Sequence, residues 1–261
     1  MISKPLDKKD LDVFFNSDAI EVFNYFLHKA IFSQPEILKG QKALPVQIPK
    51  EHIEQWGVQA LGAKPIGAGS YPIDLIDLDK GYGADIKMLS WNNKTSTGRD
   101  SNSMSGETSL AQKFEDENLD EKFENKKHDE IIKAWVQILN DKFQEVIKTY
   151  NEIMDIYYFI LIKEKDGEIK NDKKGNKFHI CGLKVDHSKF SEFTFKNDSE
   201  KAVWVSNFID DNLGDVKVYK SKKRMELRIK PLEWIKQKKV ITFELDNYVS
   251  PTKNLIELTK E

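Results

Sequence analysis

Ile73-Asp74-Leu75-Ile76-Asp77-Leu78-Asp79 leads through Lys80-Gly81-Tyr82-Gly83 into Ala84-Asp85-Ile86-Lys87-Met88-Leu89. The first segment alternates apolar and polar residues with period two, as a half-buried strand does. The glycine-bearing stretch can reverse the chain, and the third segment reads as a second strand. The result is a predicted β-hairpin with Asp85 and Lys87 on one face and Ile86 and Met88 on the other. Asp74 and Asp85 then sit on adjoining strands, where both carboxylates can face one pocket and offer hard oxygen ligands to Mg²⁺. Lys87 shares the face of Asp85, where it can orient or help deprotonate a water and stabilise charge on a scissile phosphate. A slip in register would give the place of Asp74 to Asp77, so either can be the first carboxylate. Set against that chemistry is a plainer alternative, a surface ion pair on a hairpin.

Working outward, Leu11, Phe14, Phe15, Ile20, Phe23, Phe26, Leu27 and Ile31 recur near helical spacing before Pro35 and Gly40 break the pattern. A second helix is predicted from Pro49 through Ile53, Trp56, Val58 and Leu61 to the stop signal at Gly62. Residues 92–108 are rich in Ser, Thr, Asn and Gly and read as a long loop leaving the strand that carries Asp85 and Lys87. A helix from about His128 to near Tyr150 carries the stripe Ile131, Ile132, Trp135, Val136, Leu139, Phe143, Val146 and Ile147. Tyr157 to Ile162 has the content of a buried strand. Further strands are predicted at Phe178–Val185, Phe193–Lys196, Val216–Tyr219, Met225–Lys230 and Val240–Leu245, with a short helix around Phe208.

A chain of 261 residues is near the upper size for one core, so a single domain over 1–261 is expected. Within it, 1–62 is helical, 63–165 holds the catalytic hairpin, and 166–261 is β-rich and basic. The lone Cys181 excludes an internal disulfide, and His28, His52, His128, His179 and His187 match no zinc spacing. No run is long and apolar enough for a membrane span, and residues 1–7 lack a secretory signal, so a cytoplasmic protein with no membrane partner is expected. The near-zero net charge conceals an asymmetry: residues 1–160 hold 19 basic against 26 acidic residues, residues 161–261 hold 22 against 17. Lys217 to Lys239 concentrates ten basic residues against Glu226 and Glu233, a density that attracts polyanions.

Pro72-Ile73-Asp74, ten residues, then Asp85-Ile86-Lys87 resembles the active-site motif of the PD-(D/E)xK nuclease superfamily, and especially its type II restriction endonucleases. Two departures stand out: Ile73 separates Pro72 from Asp74, and Asp85 replaces the commoner Glu. The resemblance implies an α/β mixed fold with a restriction-endonuclease-like core, a central mixed β-sheet flanked by helices. It also implies Mg²⁺-dependent hydrolysis of double-stranded DNA at a short, palindromic site, giving 5′-phosphate and 3′-hydroxyl ends. Asp74 and Asp85 would hold the metal, Lys87 would position the attacking water, and Glu54, or else Glu51, would be the added acid from the preceding helix. A homodimer is expected because two-fold DNA is matched by a two-fold protein, and the family brings with it a cognate DNA methyltransferase.

Lys94, Arg99, Asn102 and Ser103 in the loop, and Arg224 and Arg228 in the basic segment, are the candidate DNA contacts. Two readings compete with the restriction enzyme. One is a repair or recombination nuclease of the same fold. The other is a non-catalytic DNA-binding protein in which the hairpin charges only pair with each other; a protein-interaction module stands behind both.

Overall fold

A computed structural model describes residues 1–32, 40, 48, 50–66, 72–91, 108–111, 119–164, 176–220 and 224–245. In chain order the elements are β1 (Ser3–Pro5), α1 (Lys8–Phe14), α2 (Ser17–Phe32), α3 (Lys50–Leu61), β2 (Lys64–Pro65), β3 (Leu75–Asp77), β4 (Tyr82–Trp91), β5 (Thr108–Ala111), α4 (Leu119–Glu124) and α5 (His128–Thr149). There follow β6 (Asp155–Glu164), β7 (Asn176–Val185), a 3₁₀ turn (His187–Glu192), β8 (Thr194–Ser199), β9 (Ala202–Ser206), β10 (Gly214–Tyr219), β11 (Arg224–Ile229), α6 (Pro231–Lys236) and β12 (Ile241–Leu245). Among the described residues, seven strands form a central mixed sheet in the order β1-β7-β6-β4-β3-β2, with β12 also paired to β7. A second, antiparallel sheet has the order β5-β11-β10-β9-β8.

Helices cover both faces of the central sheet. Side chains alternate across a strand, so Tyr82, Ala84 and Ile86 of β4 face the core built with Leu11, Phe15, Phe23, Leu27, Ile53 and Trp56 of α1, α2 and α3. The opposite face meets α5 through Trp135, Leu139, Phe143 and Val146, and Val216, Val218, Met225 and Leu227 of the second sheet join that same core. β4 and β6 run parallel from Tyr82↔Asp155 to Trp91↔Glu164, with α5 lying between them in the chain, as a parallel pair requires a crossover. Covered on both sides, β6 is buried at every position from Ile156 to Lys163, and this is why its sequence is an apolar run rather than an alternation.

Local chemistry sets the ends of the helices that matter for the site. The Asn16 side chain accepts the Ala19 amide at 3.0 Å and opens α2, splitting the expected first helix in two at Phe15. α3 ends where Gly62, at φ +62°, lets the Ala63 amide reach the Val58 carbonyl and its own amide reach Gln59, a Schellman closure. Gly57, inside α3, lies so near β4 that an added Cβ would sit 2.7 Å from Ile86 Cδ1. This close approach seats α3 on the strand that carries Asp85 and Lys87.

Several expected elements are corrected. The strand over Ile73–Asp79 is only Leu75–Asp77, and the turn is Leu78–Gly81, so Tyr82 and Gly83 already belong to β4. Asp77 causes the shortening, because its carboxylate accepts the Lys80 amide at 3.0 Å and pairs with the Lys80 ammonium at 3.1 Å, closing the turn early. The helix expected around Phe208 is a bend in which Asn207 adopts φ +72°. Its carbonyl and that of Phe208 accept the Ile2 and Ser3 amides, docking the unanticipated strand β1. β7 and β12 lie in the segment 166–261, yet they complete the central sheet, so that segment is shared between both sheets.

Candidate active site

The site forms where β3 stops and β4 continues. Asp74, one residue before β3, is fixed on both sides: its amide donates to Ala84 O at 2.9 Å and its carbonyl accepts the Ile66 amide at 2.9 Å. Its Oδ2 accepts the next outward amide of β4, Ile86 N, at 2.9 Å, so the side chain extends the ladder by one rung. Asp85 faces the α5 side of the sheet, and Lys87 follows two residues later on the same strand face.

Three carboxylates meet the Lys87 ammonium. Asp85 Oδ1 is 2.8 Å away, Asp74 Oδ2 3.0 Å and Glu54 Oε1, from α3, 3.3 Å. Their exposures grade outward, with side-chain values of 8% for Asp85, 18% for Asp74 and Lys87, and 38% for Glu54. Among the described residues the cluster sets three carboxylates against one ammonium.

The electrostatics follow from that imbalance. Burial, and then the charge of Asp74, raise the Asp85 carboxyl well above its ordinary 3.8, although Lys87 pulls the other way. Burial would lower the Lys87 ammonium, but the carboxylates of Asp85 and Asp74 outweigh it and hold the group protonated far above neutrality. Tyr158 stands opposite Asp85 in the β4–β6 register, 4% exposed, and burial together with both aspartates keeps its phenol protonated. Tyr158 escapes the sequence reading because it looks like one more apolar member of a buried run.

Among the described residues no three His, Cys, Asp or Glu side chains are arranged as a metal-binding group. Mg²⁺ asks for less, since it keeps several waters and is held by one or two carboxylates together with substrate phosphates. Asp74 and Asp85, adjacent hard-oxygen donors with the Glu54 carboxylate close by, suit such an ion.

The remaining candidates divide. Asp77 is engaged in its turn and is not drawn to Lys87, leaving Asp74 as the carboxylate opposite Asp85. Lys94, Arg99, Asn102 and Ser103 lie outside the described residues, as does the side chain of Glu51. Arg224 and Arg228 lie on β11, away from this cluster: Arg224 bonds Glu226 through Nε at 2.7 Å and Nη2 at 2.6 Å, and Arg228 Nη1 is 3.7 Å from Asp215. Lys217, from the same basic segment, is 5% exposed, bonded to Tyr219 and 3.9 Å from Glu226. His179 is buried between Thr242 and Glu164, and the Cys181 thiol is pushed up by burial, so neither resembles a nucleophile. No helix among the described residues is long and apolar enough to cross a membrane.

No family model matches the chain, and no curated protein or solved structure is significantly similar to it.

Proposed function

We propose that this protein is a Mg²⁺-dependent DNA endonuclease of the restriction-enzyme kind, hydrolysing phosphodiester bonds through the cluster of Asp74, Asp85, Lys87 and Glu54. The observation that carries the reading is the convergence of Asp74, Asp85 and Glu54 on one lysine. The element order supports it: helix α3, strands β2, β3 and β4, helix α5 and strand β6 fall in the αβββαβ order of the PD-(D/E)xK superfamily, with β5 and α4 inserted between β4 and α5.

In this reading Asp74 and Asp85 hold the metal. When bound, Mg²⁺ supplies Lewis acidity toward the phosphate and lowers the pKa of a coordinated water. Lys87 stays charged at any working pH, so it serves as an orienting donor and as a counter-charge to the phosphate oxygens in the transition state. The water oxygen adds to phosphorus and gives up a proton to solvent, the bond to the 3′ oxygen breaks, and that oxygen takes up a proton from solvent, giving 5′-phosphate and 3′-hydroxyl ends. Asp85, fixed by the β4–β6 pairing and buried beside Tyr158, gives the site a rigid floor. A homodimer acting on a palindrome, and a methyltransferase protecting the host DNA, go with this reading.

The test is incubation of the purified protein with unmethylated phage DNA, with Mg²⁺ or with EDTA, beside a Lys87→Ala variant. Discrete fragments that need Mg²⁺ and Lys87 are the expected result. Smearing or nicking with the same requirements moves the reading to a repair or recombination nuclease. Intact DNA across substrates and metals would overturn the nuclease and leave the cluster as ion pairs closing a sheet edge.

A further inference from the structure

We propose that Lys87 is the resident counter-ion of the carboxylate pair, which a divalent cation must displace, and that Glu54 is the positioning residue that keeps hold of the displaced ammonium. The inference rests on the reading of Asp74 and Asp85 as the cation's carboxylates.

The distances carry it. The ammonium lies 2.8 Å from Asp85 Oδ1 and 3.0 Å from Asp74 Oδ2, so it occupies the position in which one cation serves both groups. A dication drawing on the same oxygens at about 2.0–2.1 Å would meet the lysine as a like charge at close range. One of the two must move. The aspartates are fixed, Asp85 within the ten-residue pairing of β4 with β6 and Asp74 by its bonds to Ala84, Ile66 and Ile86. Lys87 carries its charge on a flexible four-carbon stem and gives way more readily.

Glu54 marks where it goes. Its Oε1 is 3.3 Å from the ammonium, and it is the most exposed of the three carboxylates. It comes from α3, the helix whose Gly57 packs on Ile86, on the face of β4 opposite Asp85. A lysine leaving the aspartates keeps this one partner and remains beside the place where a phosphate would bind. Glu54 then favours cation binding without being a ligand, by accepting what the cation displaces.

Binding of Mn²⁺ to the full chain without DNA, followed by electron paramagnetic resonance of the free ion, reads this directly. Wild type is compared with Lys87→Met, Glu54→Gln, the double variant and Asp74→Asn. Lys87→Met, which keeps the stem, is expected to bind Mn²⁺ about tenfold tighter by removing the competitor. Glu54→Gln, an isosteric change at a half-buried helix position, is expected to bind several-fold more weakly, and that penalty should shrink in the Lys87→Met background, as coupling through the lysine requires. Asp74→Asn should abolish binding and so identify the site.

Wild-type binding that Lys87→Met leaves unchanged or weakens would overturn the competition while the metal reading stands. An equal Glu54→Gln penalty in both backgrounds would make Glu54 a ligand or a plain charge and overturn its role. No Mn²⁺ binding by wild type or Lys87→Met, either without DNA or, beyond that of DNA alone, with a duplex added, would remove the metal reading itself, and the inference with it.

Discussion

The Ile86 amide donates to Asp74 Oδ2 at 2.9 Å, and the same oxygen accepts the Lys87 ammonium at 3.0 Å. One atom therefore serves both the sheet edge and the site. Asp74→Asn keeps a carbonyl acceptor for the amide, whereas Asp74→Ala leaves it without that acceptor at a largely buried edge. Asp74→Ala should cost about 1–3 kcal/mol in urea unfolding and Asp74→Asn much less, while both abolish Mg²⁺-dependent cleavage. Equal stability of the two variants would show that the carboxylate is not part of the ladder.

Asp85 should cost stability where it is ionised. Its folded pKa is raised above 3.8 by burial and by Asp74, so the folded state holds the proton more tightly than the unfolded chain. Its contribution to stability is fully present below pH 3.8 and is lost as pH rises through the folded value. Asp85→Asn, neutral throughout, should therefore unfold at higher denaturant than wild type at pH 7, with the gap closing toward pH 3.8. A stability-for-activity exchange of this kind is common at sites assembled for chemistry. An Asp85→Asn variant less stable than wild type at pH 7 would mean that the bond to Lys87 outweighs burial.

How much of this site could be read in advance depends on the physics that fixed each residue. Asp85 and Lys87 share a face because strand periodicity is local, and α5 was legible from its apolar stripe for the same reason. The choice between Asp74 and Asp77 was not local. Both lie at the start of a hairpin, and only the turn chemistry of Asp77 with Lys80 decides which one remains to face Asp85. Glu54 could be named as an acid on the right helix, but its contact with Lys87 depends on how closely α3 sits on β4. The second sheet misled more. Periodicity found strands there, yet the pairing of Arg224 with Glu226 and of Arg228 with Asp215 is a matter of cross-strand and same-strand register, invisible to a charge count.

Gly57→Ala tests the seating of α3. In an open helix the change would stabilise by up to about 1 kcal/mol. Here the new methyl would meet Ile86 Cδ1 at 2.7 Å, and either Ile86 leaves its rotamer or the helix lifts. A net loss of about 1–3 kcal/mol is expected from overpacking, together with weaker cleavage as Glu54 is carried away from Lys87. Thermal melts and cleavage rates on the same preparation check both, and a stabilised, fully active variant would show that Ile86 turns aside and that the contact does not set the position of α3.

His179 should titrate in the opposite sense to Asp85. Burial lowers its pKa below 6.5 despite the bond to Glu164, so the unfolded chain takes up the proton first on acidification. Its neutral form stabilises the fold above pH 6.5, and that contribution is lost as pH falls through the folded value. The stability difference between wild type and His179→Gln should accordingly narrow on acidification below pH 6.5. A difference that does not change with pH would mean that the imidazole has the same pKa in the folded and unfolded chain.

Arg224 separates a folding role from DNA readout. Glu226 is 3% exposed and meets Arg224 at 2.6 Å, with Lys217 farther off at 3.9 Å. Removing the guanidinium leaves a buried carboxylate with the weaker partner. Arg224→Met should then cost about 3 kcal/mol, the lower end of the range for a broken buried pair, because Lys217 remains. Adding Glu226→Gln removes the stranded charge and should restore most of the loss, since the two side chains form one network. The double variant, once folded, should cleave the same DNA sites as wild type if the arginine serves the sheet. Altered or relaxed site preference in a stable double variant would instead make Arg224 a base-reading residue, with Glu226 as the group that orients it.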